Sequence, residues 1–167
     1  MLTYLPAAEA DIATLRTLAG EIWRACYPGI ISPSQIEYML ERMYAPEVIR
    51  REMTEGVMWE LLRWGDKPIG FVSCALDHAD GCLQVHKLYL LPAFHGRGLG
   101  RQALESLQAK AVRLGLGTIR LSVNKRNERA ITAYQRAGFR IASSVTNDIG
   151  EGHVMEDYVM RWQAPPR

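Results

Sequence analysis

The sequence predicts a mixed fold in the α/β to α+β range, a sheet flanked by helices. Three features lead there. Apolar residues recur at helical spacing in the first quarter of the 167-residue chain. Strand-like runs separated by turn residues begin at Val57. A glycine-rich loop, His95-Gly96-Arg97-Gly98-Leu99-Gly100-Arg101, joins an apolar run to a long amphipathic segment.

The elements follow in chain order. From Asp11 to about Cys26, the apolar side chains Ile12, Leu15, Leu18, Ala19, Ile22 and Trp23 share one helical face, and Pro28-Gly29 stops the helix. Ser32 before Pro33 offers an N-cap with proline at the first helical position, opening a helix through Ile36, Met39, Leu40 and Met43. A further helix follows Pro46 and ends at Gly56. Val57–Trp64, Pro68–Asp77 and Cys82–Leu91 then read as three antiparallel strands in succession. Leu99 to Leu114 is an amphipathic helix. Thr118–Val123 is a short strand, and Asn127 to Ala137 is a helix closed by Gly138. Phe139–Thr146 and Val154–Trp162 form a terminal hairpin.

Length favours one domain, residues 1–167, with a helical segment 1–56 ahead of a core 57–162. The formal charge of +2 is too small to point to nucleic acid. Three cysteines, Cys26, Cys74 and Cys82, lack the paired spacing of a disulfide framework or a zinc site, so no metal is expected. Reduced thiols, and an opening stretch without signal-peptide character, predict a cytoplasmic protein. No apolar run is long enough to span a membrane.

Within Leu83–Leu91 the apolar alternation slips by one near His86-Lys87. Such a slip predicts a β-bulge, or a strand buried on both faces.

The glycine loop predicts a phosphate site. Glycines let the backbone approach a ligand, and a helix starting there directs free N–H groups and its positive dipole end at the loop. Arg97 and Arg101 flank it. A nucleoside-triphosphate P-loop is excluded, because Gly100 is followed by Arg101-Gln102 rather than Lys-Ser/Thr. A dinucleotide site fits poorly. Pro92-Ala93-Phe94-His95 separate strand from loop, and the next strand ends at Asn124 rather than at an acid.

The loop and its surroundings resemble the GNAT superfamily of N-acetyltransferases, whose signature is a strand, a Gln/Arg-x-x-Gly-x-Gly/Ala loop and a helix. His95 stands where Gln or Arg is usual. Downstream, Asn127-Glu128-Arg129-Ala130-Ile131-Thr132-Ala133-Tyr134 to Gly138-Phe139 resembles the family's N-x-x-A-I-x-x-Y-x-x-x-G-F segment. Together the two motifs cover about residues 57–162.

The resemblance implies a twisted, mostly antiparallel sheet of about six to seven strands. It also implies acetyl-CoA as acyl donor and direct transfer to a primary amine of a small molecule or peptide, with no nucleic-acid or membrane partner and a homodimer permitted. Backbone N–H groups from Gly96 to Arg101, through Gly98, Leu99 and Gly100, would hold the pyrophosphate. Leu88, Tyr89 and Leu90 would pair their main chain with the pantetheine arm like an added strand. Asn127 would reach the pantetheine, cap its helix, or do both. Tyr134 would protonate the leaving thiolate, the alternative being that it packs on its helix's apolar face.

Acceptor contacts are sought in Trp23, Tyr27, Tyr38 and Met39, and in His153, Met155, Glu156 and Asp157, whose carboxylates suit a cationic amine such as a polyamine. Glu21, Glu60 and His86 are candidate bases by residue type, and none is singled out. A non-catalytic acyl-CoA sensor on the same fold is the alternative.

Overall fold

The structure is a computed structural model that describes all residues, Met1–Arg167. The strands are β1 Leu2–Pro6, β2 Met58–Trp64, β3 Lys67–Asp77, β4 Cys82–Leu90, β5 Thr118–Asn124, β6 Arg140–Gly150 and β7 His153–Gln163. The helices are α1 Ile12–Cys26, α2 Pro33–Tyr44, α3 Pro46–Thr54, α4 Leu99–Arg113 and α5 Glu128–Arg136. Strands hydrogen-bond in the order β1-β2-β3-β4-β5-β7-β6. β4 and β5 run parallel, whereas β1–β2, β2–β3, β5–β7 and β6–β7 are antiparallel. This is the expected mixed sheet, with seven strands.

β1 is absent from the sequence reading. It is an edge strand in which only Leu2 is buried, so it lacks the apolar alternation that announces a strand. Its partner β2 defines it, from Leu2↔Trp64 to Pro6↔Glu60.

The chain divides into two compact units, Met1–Ala75 with Lys87–Leu99, and Leu76–His86 with Gly100–Arg167. They interleave in sequence, and no boundary falls at residue 56. The first unit is built on aromatic packing. Trp23 stacks on Tyr27 with ring centres 4.3 Å apart, Trp59 stacks on Phe71 at 6.1 Å, and Tyr44 stands edge-on to Trp59 at 6.3 Å. The indole N–H of Trp23 donates to the Tyr44 hydroxyl at 3.2 Å, satisfying a polar group that burial would otherwise strand. Ser32 caps α2 as expected, its hydroxyl accepting from the Gln35 N–H at 3.2 Å.

In the second unit, one face of α4 is fully buried through Ala103, Leu104, Leu107 and Ala111. Ile119, Leu121 and Met160 are buried on β5 and β7. An ionic network ties the β3–β4 turn to both strands. Arg120 donates to Asp77 at 2.8 Å and to Asp80 at 2.6 Å, Arg161 donates to Asp80 at 2.8 Å, and Arg120 also bonds Gln84. Asp77, Asp80 and Cys82 could by themselves group around an ion. Both carboxylates are instead committed to guanidinium groups.

Candidate active site

In the first unit, β4 leads through a 3-10 turn at Pro92–Phe94 to the glycine loop. Gly96 and Gly98 both have φ of +75°, the left-handed region that side chains rarely tolerate. Both are exposed, and a Cβ added to either would meet nothing within 4 Å. The loop backbone is therefore open to a ligand at the start of the fifteen-residue helix α4. His95 anchors it, with Nε2 2.8 Å from the Leu90 carbonyl oxygen. Arg97 lies over the Phe94 ring at 5.0 Å. Leu99, at the head of α4, is buried. In the second unit, Gly100 continues α4 and Arg101 pairs with Glu105 at 3.0 Å, well exposed on both sides.

In the strand ahead of the loop, the slipped alternation coincides with a buried lysine. Leu83, Val85 and Lys87 are buried while His86 is exposed and Leu88 only half-buried. The burial period of two holds from Leu83 to Lys87, and it is Lys87 that occupies a core position. Its ammonium lies 5.0 Å from the Trp59 ring centre, 5.5 Å from that of Tyr44 and 3.8 Å from Glu52 Oε1 of α3. Burial pulls the Lys87 pKa below the usual lysine range, with Glu52 opposing. Glu52 Oε2 and the Trp59 indole N–H are buried without a hydrogen-bond partner. Sequence reasoning missed this group. The available signal was a lysine in the apolar phase of a strand.

The β4–β5 ladder runs from Cys82↔Thr118 to Val85↔Leu121 and ends there, short of Leu88-Tyr89-Leu90. Leu88 and Tyr89 are half-buried and Leu90 is buried.

In the second unit, Asn124 ends β5 in a tight turn. Its side-chain oxygen accepts from the Arg126 N–H at 2.9 Å, and its carbonyl accepts from the Asn127 N–H at 2.9 Å. Asn127 Oδ1 then accepts from the Ala130 N–H at 3.3 Å, capping α5. The capping role foreseen for Asn127 is present. Tyr134 on α5 is half-buried, its ring centre 5.7 Å from that of Phe139.

The residues sought for the acceptor differ in their burial. Trp23 is 1 % exposed and packs in the core. Tyr27 is also buried, and its hydroxyl lies 3.1 Å from that of Tyr89. Met39 is buried. Tyr38 lies on another face of α2, half-buried, and its hydroxyl accepts from Arg42 at 2.9 Å. Of the candidate bases, Glu21 and His86 are exposed and Glu60 is half-buried in β2. On β7, Glu156 is exposed and Asp157 half-buried, a distinction that adjacent carboxylates in a sequence do not reveal.

The Acetyltransferase (GNAT) family profile matches residues 18–139. An uncharacterized N-acetyltransferase of Mycobacterium tuberculosis is 27% identical over 150 residues, 90% of this chain and 96% of that protein. The spermidine N(1)-acetyltransferase of Thermoplasma acidophilum is 25% identical over 144 residues, 83% of this chain and 88% of that protein. Among solved structures, the PaiA N-acetyltransferase of Thermoplasma acidophilum in complex with coenzyme A superposes with a TM-score of 0.81. That match covers 98% of this chain and 99% of the other at 21% identity. No helix is long and apolar enough to cross a membrane.

Proposed function

Because this chain belongs to the Acetyltransferase (GNAT) family of N-acetyltransferases, with acetyl-CoA as donor, we propose that it transfers the acetyl group directly to a primary amine of a small molecule, a polyamine being the first candidate. The observation that carries the donor half is the open backbone of Gly96 and Gly98, both at positive φ ahead of α4. N–H groups from Gly96 to Arg101 would hold the pyrophosphate, and Arg97 would add charge. Arg101 is already paired with Glu105 and would contribute less. The main chain of Leu88-Tyr89-Leu90, beyond the end of the β4–β5 ladder, would hold the pantetheine arm. Acetyl-CoA supplies an activated acyl group on a thiol leaving group. Asn127 would position that group while capping α5, and the Tyr134 phenol, protonated at neutral pH, would donate to the departing sulfur.

Direct transfer is the reading adopted: Cys74 and Cys82 are fully buried, and Cys26 is half-buried at the end of α1. A polyamine acceptor is supported by the likeness to the spermidine N(1)-acetyltransferase. Three cysteines outside any disulfide suit a reducing cytoplasm. The test is release of free coenzyme A thiol, followed against spermidine, free amino acids, an aminoglycoside and a peptide with a free N-terminus. Turnover with spermidine well above the others is the expected result. Turnover with the peptide alone would overturn the polyamine assignment, and no turnover with any amine would overturn the direct-transfer reading.

A further inference from the structure

We infer that Asp157 is the carboxylate that meets the acceptor's ammonium and takes its proton, which supplies the base for the transfer reaction proposed above and rests on that proposal. Asp157 is on β7, opposite Asn124 in the last pair of the β5–β7 ladder. Directly beyond this pair the chain turns through Asn124 and Asn127 into α5, the helix that carries Tyr134. The carboxylate therefore stands on β7 opposite the end of β5, from which the family's Asn and Tyr positions depart.

Its surroundings leave it unused by the fold. Oδ1 of Asp157 is buried and has no hydrogen-bond partner. Asp77 and Asp80, by contrast, are saturated by arginines, and Glu52 is paired with Lys87. A buried carboxylate oxygen without a donor is costly to the native state, and an arriving ammonium would satisfy it. The groups around it are few. Asn124 faces it from β5 and Val145 from β6. On its own strand, Met155 and Val159 share its face, and Arg161 further along is held by Asp80. Lys125 is the one cation acting on it, with its ammonium over the Tyr158 ring at 5.4 Å. Burial outweighs Lys125 and raises the Asp157 pKa above the usual aspartate range, toward that of a useful base.

The protons balance. The acceptor's ammonium gives one proton to the Asp157 carboxylate. The freed amine nitrogen forms the C–N bond to the acetyl carbon as the C–S bond breaks. The sulfur takes its proton from Tyr134, which recovers one from the nitrogen. Asp157 then returns its proton to water.

The experiment compares wild type with Asp157→Asn and Asp157→Glu, using the most active amine of the panel above. Asp157→Asn should keep the wild-type melting temperature and affinity for acetyl-CoA, because Oδ1 of Asp157 makes no hydrogen bond in the fold. Its kcat should fall about 100-fold or more. The acid limb of the wild-type kcat/KM profile should disappear in this variant, and Asp157→Glu should restore part of both. A folded Asp157→Asn protein with kcat within twofold of wild type, or with the acid limb intact, overturns the assignment while leaving the transfer reaction standing. Loss of wild-type turnover with every amine removes both.

Discussion

The imidazole of His95 closes onto the strand it follows, with Nε2 2.8 Å from the Leu90 carbonyl oxygen. That carbonyl lies at the end of β4, so one side chain fixes both where the strand stops and where the glycine loop starts. His95→Ala should free the loop. A neutral hydrogen bond of this kind is worth about 0.5–1.5 kcal/mol, so KM for acetyl-CoA should rise roughly 2- to 10-fold with kcat little changed. His95→Gln keeps a donor and should fall between the two in coenzyme A titrations.

Gly70 on β3 has no room for a side chain. An added Cβ would overlap the Tyr89 carbonyl oxygen and stand 2.9 Å from Leu90 Cδ2. Backbone cannot yield as a flexible side chain does. Gly70→Ala should destabilise by about 3 kcal/mol in urea unfolding and weaken acetyl-CoA binding, since Tyr89 and Leu90 belong to the segment assigned to pantetheine.

Lys87, buried over the Trp59 and Tyr44 rings, pairs with the half-buried Glu52. Glu52→Gln should destabilise by about 2–3 kcal/mol, because it leaves an uncompensated ammonium in the core. The double change Lys87→Met with Glu52→Gln should recover most of this. The sign of the pH effect follows from the lowered Lys87 pKa. The unfolded state binds more protons between that value and the ordinary lysine pKa, so stability should rise with pH across this alkaline window. Urea midpoints taken with rising alkaline pH should show the rise in wild type and lose it in the double variant.

Tyr134 is half-buried and packs its ring near Phe139. Tyr134→Phe keeps that packing and removes the phenol proton. It should lower kcat about 100-fold while changing KM for acetyl-CoA little. An unchanged kcat would assign the residue to packing alone.

The Asp77 carboxyl is held below the usual aspartate range, first by its hydrogen bond from Arg120. A depressed acid contributes stability that is full above its unfolded pKa and lost as pH falls through the folded one. Arg120→Gln should therefore move the acid-unfolding midpoint to higher pH, as followed by circular dichroism.

The sequence by itself determined the order of the elements from α1 onward, the caps at Ser32 and Asn127, and the glycine-rich loop at residues 95–101. These depend on local rules: helical periodicity, capping chemistry, and glycine where φ is positive. The motif pair through Gly98 and Tyr134 was likewise local and named the donor. Tertiary structure decided what depends on neighbours distant in sequence. β1 exists because β2 pairs with it. Trp23 belongs to the core because Tyr27, Tyr44 and Tyr89 surround it. The slip at His86-Lys87 is a buried lysine, made tolerable by Glu52 and two aromatic rings from residues 28 to 43 positions away. Asp157 differs from Glu156 only in which face of β7 it occupies and what covers it. Burial and partner choice set the ionisation of these side chains, and neither is a property of local sequence.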